Sequence, residues 1–137
     1  MAEMLDFPAL VADRVDKPVD TIVAPPLAPD AQPIDRTHLF RMTLGDHGLE
    51  CEVLQLFDQH AALLIARMGE ANPAGVAVLA HTLHGSARAI GAFAIAHAAE
   101  ALEVAARTKS VEMQSAKQAL ARTVDDARRT IAALVLA

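Results

Sequence analysis

The sequence predicts an all-α protein: an antiparallel up-down-up-down four-helix bundle with a short preceding helix and an N-terminal arm. Hydrophobic residues make up 53% of the 137 residues, yet Trp and Tyr are absent and Phe occurs four times, so most of them are aliphatic. Ala and Leu lose little side-chain freedom in a helix. After residue 33, apolar residues recur at three- and four-residue spacing in four long segments joined by short connections, which is typical of a bundle.

Residues 1–33 differ from the remainder because they hold six of the seven prolines. Proline lacks a backbone donor and restricts the residue before it, so this density disfavours continuous helix. We expect an extended arm over residues 1–33 and one helical domain over residues 34–137.

Capping residues place the first two helices. Asp35 is a suitable N-cap for a short helix over 36–43, and Asp46 for a longer helix over 47–70. The apolar positions of the second helix predict an inward stripe with helical spacing, made of Leu49, Val53, Leu56 or Phe57, His60 or Ala61, Leu64 and Met68.

Asn72 followed by Pro73 predicts the start of the next helix, because Pro is favoured at the first helical position. This helix runs over 73–90, and Gly91 is expected to end it. Its inward stripe is predicted to contain Val76, Leu79 or Ala80, Leu83, Ala87 and Ile90.

Two further helices are predicted over 92–107 and 111–136, the second with Ser110 as its cap. Glu103 and Arg107 are four residues apart and are expected to pair on the outer face of the first of these helices.

Charge and composition disfavour several classes of function. The net charge is −5 and no basic stripe is present, so no nucleic-acid site is expected. A single cysteine, Cys51, precludes an intrachain disulfide and fits a reducing compartment. No apolar run approaches the ~20 residues of a membrane span, and the start of the chain does not resemble a secretory signal. We therefore expect a cytoplasmic protein without a membrane segment.

His81 and His84 form the most informative pair in the chain. Helical phase places His81 away from the core-facing Leu83, on an outer face that also carries His84, Gly85 and Arg88. Glycine within a helix costs about 1 kcal/mol relative to alanine, which suggests that close approach to this face is required.

Metal binding and hydrolase chemistry are the alternatives for this pair. Metal sites in bundles point inward and use several carboxylates, whereas these histidines point outward and no Glu-x-x-His motif is present, so no metal site is predicted. Ser86 has no Gly-x-Ser-x-Gly elbow, and no Gly-rich phosphate loop indicates an ATP site.

The run His81-Thr-Leu-His-Gly85-Ser-Ala-Arg-Ala-Ile-Gly91-Ala92, with an Ala-rich helix to Leu102-Glu103, resembles the signature of histidine-containing phosphotransfer (HPt) domains. That signature reads His-x-Leu-Lys-Gly, then Gly-Ala, then a helix that ends in Leu-Glu. The resemblance extends over about residues 34–136.

The resemblance implies a phosphorelay intermediate in two-component signal transduction. His81 would be the phosphoacceptor, taking the group from a receiver-domain aspartate of a response regulator or hybrid kinase and passing it to another. Gly85 would leave room for the phosphoryl group. His84 stands where the family has Lys, so a permanent cation is replaced by an imidazole whose charge depends on pH, and Arg88 could supply the missing charge.

A phosphocarrier of this kind would need no cofactor of its own, because Mg²⁺ would belong to the receiver, and it would have no autonomous kinase activity. Contacts to the receiver are predicted on the outer face and on the helix over 47–70, namely at Leu54, Ala77, His84, Gly85 and Arg88, with Leu63 as a further candidate. The alternative function is a non-phosphorylated helical adaptor or oligomerisation module.

Overall fold

A computed structural model of the protein describes residues 32–136, and every regular element within that range is an α-helix. The elements are α1 (Arg36–Met42), α2 (His47–Met68), α3 (Pro73–Ile90), α4 (Phe93–Arg107) and α5 (Met113–Leu136). Each bound lies within two residues of the predicted one. Most of the predicted arm falls outside the described residues, so the arm and its boundary stay predictions.

Side-chain caps begin the first three helices as predicted. The Asp35 carboxylate accepts a hydrogen bond from the backbone N–H of His38 at 3.0 Å, and Asp46 accepts one from Leu49 at 3.0 Å. The Asn72 side chain accepts the N–H of Gly75 at 2.8 Å. These bonds satisfy donors that have no partner inside the helix.

The four long helices form a closed bundle. The helix α2 packs against α3 and α5, and α4 packs against the same two helices. The prediction of an all-α bundle is confirmed, while its up-down-up-down order stays a prediction. One core joins all five helices, and its largest fully buried apolar side chains are Ile34, Leu54, Leu83, Ile95, Leu102, Leu120 and Val76.

The predicted orientation of α2 is wrong in part. Leu54, which we expected on the outside, is only 2% exposed, whereas Leu56 is 63% exposed. The helix is apolar on more than one side, so its sequence fits several inward stripes. Packing against both α3 and α5 selects the stripe that contains Leu54, Phe57, Ala61, Leu64 and Met68.

The junction between α3 and α4 is held by α1. Gly91 ends α3 with a left-handed φ of 88°, as its predicted role as a stop requires. Its carbonyl accepts the N–H of Asp35 at 2.8 Å, and the His38 ring hydrogen-bonds the Ala89 carbonyl at 3.0 Å. The same ring packs edge-on against Phe93, with centroids 5.3 Å apart. The short first helix therefore fixes the turn that sets α4 against α3.

An ion pair joins α2 to α5. Arg128 of α5 donates to Asp58 of α2, with Nε 2.7 Å from Oδ1. This hydrogen bond and the charge of Asp58 raise the pKa of the Arg128 guanidinium. Because both side chains remain partly exposed, the pair contributes at most about 1 kcal/mol.

None of the helices in the described part of the chain is both long and apolar enough to cross a membrane.

Gly91→Ala is expected to lower the free energy of unfolding by about 1–3 kcal/mol. The added Cβ would lie 3.0 Å from the Asp35 carbonyl oxygen, in a backbone conformation that L side chains rarely adopt. Urea unfolding measures the change.

Gly85→Ala is the matched control, because a Cβ there meets nothing within 4 Å and the backbone is helical. It should raise the stability by about 0.5–1 kcal/mol. Equal stability of Gly91→Ala and the wild type would contradict the proposed role of this junction.

Candidate functional site

His81 projects from the solvent-facing side of α3, as helical phase predicted. Its side chain is 69% exposed. The opposite face of the helix supplies the core through Val76, Ala80, Leu83 and Ala87, all 0% exposed. A solvent-accessible imidazole is thus mounted on a helix whose other side is fixed by packing.

The carboxylate of Glu103 contacts His81 from α4. His81 Nδ1 lies 3.2 Å from Oε2 and 3.3 Å from Oε1 of Glu103. Arg107 holds the same carboxylate, with its guanidinium nitrogen 2.6 Å from Oε2. Glu103 is therefore an anion shared between an imidazole and a guanidinium.

The predicted pair of Glu103 and Arg107 is confirmed, but its placement on the outer face of α4 is wrong. The Glu103 side chain is only 9% exposed. The helix α4 packs against both α3 and α5 and buries a wide arc that includes Ala99, Leu102 and Ala106. Glu103 lies in this buried arc and contacts His81 of α3. The only sequence signal for its role was its position in the Leu102-Glu103 pair of the signature.

The contact with Glu103 determines which nitrogen of His81 can react. An ionised carboxylate accepts hydrogen bonds and cannot donate them, so Nδ1 of a neutral imidazole beside it carries the hydrogen. Nε2 then holds the free lone pair. The arrangement provides an exposed nitrogen nucleophile whose ring is oriented by a buried anion.

His84 lies beside His81 on the same helix. The two ring centroids are 6.4 Å apart and the rings are nearly perpendicular, at 78°. One potential ligand atom from each of His81, His84 and Glu103 can be chosen so that all three lie within 4.8 Å of one another. The fold thus brings a carboxylate of α4 to the two outward-facing histidines of α3.

The residues that follow His84 keep the surface beside His81 open. A Cβ added to Gly85 would meet nothing within 4 Å, so no contact within the described structure requires glycine at this position. Arg88 is exposed one turn later. Both residues lie on the outer face where the sequence placed them.

The prediction of receiver contacts is wrong for two residues, because both are buried. Leu54 is 2% exposed and Ala77 is 5% exposed, so neither offers a surface to a partner. Ala77 was placed outside because it lies one turn before His81, but α3 contacts both α2 and α4 and buries more than one stripe. Sequence reasoning missed Val78, which is 65% exposed and lies three residues before His81. Leu63, at 49% exposed, stays a candidate.

Comparison with protein families gives one match: a family model described as "Hpt domain" matches residues 52–134. The matched range covers most of α2, all of α3 and α4 and nearly all of α5, and it includes His81, His84 and Glu103. Comparison with curated proteins and with solved structures gives no match.

Glu103→Gln is expected to change the tautomer ratio of His81. An amide is a weaker acceptor than a carboxylate, so the Nδ1–H form should fall by about twofold to fivefold relative to the Nε2–H form. The ¹⁵N shifts of the ring nitrogens, read from long-range NMR correlations, measure the ratio. Glu100→Gln, an exposed change on the same helix, should leave it unaltered. An unchanged ratio in Glu103→Gln would contradict the orienting contact.

Proposed function

The chain belongs to the Hpt domain family, and on that premise we propose that it is a phosphorelay protein that carries a phosphoryl group on His81. Histidine phosphotransfer in phosphorelays, through interaction with receiver domains, is the activity that membership of this family implies. The observation that supports His81 as the carrier is its exposed ring, held through Nδ1 by the buried carboxylate of Glu103.

In the proposed reaction, Nε2 of His81 attacks the phosphorus of a receiver aspartyl phosphate. The N–P bond forms as the bond from phosphorus to the carboxylate oxygen breaks, and the aspartate leaves as its carboxylate. The Nδ1 hydrogen stays on the ring, so the ring becomes positively charged. Glu103 lies 3.2–3.3 Å from that nitrogen and stabilises this charge as it develops. Transfer to a second receiver is the reverse reaction.

The remaining requirements are positioning and charge neutralisation, which dominate phosphoryl transfer. Arg88 and, when protonated, His84 place positive charge on the outer face beside the phosphoryl group. The open surface at Gly85 gives the transferring group and its receiver space. Mg²⁺ would be supplied by the receiver, and the proposal includes no kinase activity from ATP.

The receiver would dock on the outer face of α3 around His81. We define this docking face by Val78, His81, Gly85 and Arg88, all exposed on one helix. Val78 provides an apolar contact at one end and Arg88 a cation at the other. An apolar anchor beside a charged contact is a common composition for a protein interface.

His81→Gln is expected to abolish phosphotransfer, because glutamine has no nucleophilic nitrogen at this position. The measurement is transfer of radiolabelled phosphate from phosphorylated receivers of the source organism. His97→Gln is the matched control, since His97 is an exposed histidine on α4 outside the site, and it should retain transfer. Robust labelling of His81→Gln would place the carrier at another histidine. Failure of the wild type with every receiver would favour the adaptor function.

Val78→Glu is expected to raise the KM for the phosphorylated receiver by about fivefold to tenfold with little change in kcat, because it removes an apolar contact without altering the nucleophile. Val111→Glu, at a 98% exposed position in the connection before α5, is the control and should behave as wild type. An unchanged KM in Val78→Glu would contradict docking of the receiver on this face of α3.

A further inference from the structure

We propose that His81, His84 and Glu103 form a binding site for a divalent transition-metal ion of the zinc class, and that the bound ion prevents phosphorylation of His81. The first part stands on the cluster itself, whose three ligand atoms lie within 4.8 Å of one another. The second part rests on the proposed function of His81.

Two of the three ligands already lie close to the required spacing. Zinc bonds of about 2.0–2.2 Å in a tetrahedral arrangement place two ligand atoms about 3.3–3.6 Å apart. His81 Nδ1 lies 3.2 Å and 3.3 Å from the two oxygens of Glu103. The nitrogen and the carboxylate can therefore form a hydrogen bond when Nδ1 carries a proton. They can bind one metal ion together when the ion replaces that proton.

His84 supplies the third ligand after a change of side-chain torsion. Its ring centroid is 6.4 Å from that of His81, somewhat farther than two imidazoles on one tetrahedral ion would lie. His84 is only half-buried, and it lies three residues from His81 on the same face of a helix. The proposal therefore requires rotation of this ring toward Glu103, a movement open to a side chain that its surroundings do not fully enclose.

The donor set selects the class of ion. Two imidazoles and one carboxylate form a set that zinc enzymes use with a fourth position left to water. Mg²⁺ and Ca²⁺ take mainly oxygen ligands, so the Mg²⁺ that a receiver requires would not compete for this site. The exposed ring of His81 leaves an entry path from solvent.

Arg107 modifies the site without closing it. Its guanidinium contacts Oε2 of Glu103 at 2.6 Å, whereas His81 Nδ1 lies 3.2 Å from Oε2 and 3.3 Å from Oε1. Oε1 is therefore the oxygen available to the ion, and Arg107 holds the carboxylate in place as an outer partner of a metal ligand. The positive charge of Arg107 reduces the affinity, which suits reversible occupation.

Metal binding removes the nucleophile of His81. A neutral imidazole has one nitrogen lone pair in the plane of the ring, and its other nitrogen carries hydrogen. If the ion binds Nδ1, the single N–H hydrogen of the neutral ring lies on Nε2. Nε2 then has no lone pair with which to attack phosphorus. If the ion takes Nε2, the nucleophile is occupied directly.

The binding test is titration of Zn²⁺ into the full chain, followed by competition with a chromophoric zinc indicator at mildly alkaline pH, because only a neutral imidazole binds a metal ion. The wild type should bind one ion. His84→Gln should weaken binding by about tenfold or more, since even the loss of an outer partner of a metal ligand has that effect.

His47→Gln is the control for binding, because His47 Nε2 lies 3.6 Å from Cys51 Sγ and this pair is another possible zinc ligand set. It should bind zinc as the wild type does. Equal affinity of His84→Gln and the wild type, or loss of binding in His47→Gln alone, would overturn the metal site.

The inhibition test is phosphotransfer from one receiver at fixed Mg²⁺, with and without one equivalent of Zn²⁺, for the wild type and for His84→Gln. Each protein is compared with its own rate without zinc. Zinc should slow the wild type in proportion to occupancy and should affect His84→Gln little.

Equal inhibition of both proteins would show that zinc acts on the receiver and would overturn the second part of the proposal. Absence of transfer without zinc would instead contradict the proposed function. That outcome leaves the binding result to decide the metal site separately.

Discussion

The packing of α3 against α4 is the constraint on which the candidate site depends. Both helices bury small residues in the common core, with Ala80 and Ala87 on α3 and Ala96 and Ala99 on α4. Small side chains allow helices to lie close together, and this closeness brings a carboxylate of α4 to an imidazole of α3. Gly91, α1 and the edge-on contact of His38 with Phe93 fix the junction between the two helices. The position of the site thus follows from packing that is remote from its chemistry.

The helices could be predicted closely because their signals are local. Asp35, Asp46 and Asn72 cap helices through bonds to backbone groups three residues away, and Gly91 ends one through its own φ. The orientation of α2 could not be predicted in the same way. Its apolar residues cover more than one side, and the burial of Leu54 rather than Leu56 depends on where α3 and α5 lie. Periodicity therefore specified the presence of the helix but not the face that it buries.

The same distinction divides the candidate site. Exposure of His81 followed from its phase relative to Leu83 on one helix, and the structure places it as predicted. Glu103 is 22 residues away along the chain, and its approach to His81 depends on the rotation of α4, which no local pattern encodes. The predicted exposure of Ala77 was wrong for a related reason, because a helix between two neighbours buries a wider arc than a single stripe. Interactions within one helix were predictable, whereas those between helices required the fold.

One separation gives the site both of its proposed properties. A carboxylate oxygen 3.2–3.3 Å from an imidazole nitrogen holds a proton on that nitrogen and directs the lone pair to the other. Two ligand atoms of a tetrahedral zinc ion lie at a similar distance, about 3.3–3.6 Å apart. The residue at position 84 determines whether the site can bind a metal ion. The lysine of the family signature would add a permanent cation and no lone pair near neutral pH, so it would favour a phosphoryl group and repel a metal. An imidazole there can neutralise a phosphoryl group when protonated and bind an ion when neutral, so under the two proposals His84 would link phosphotransfer to transition-metal binding at His81.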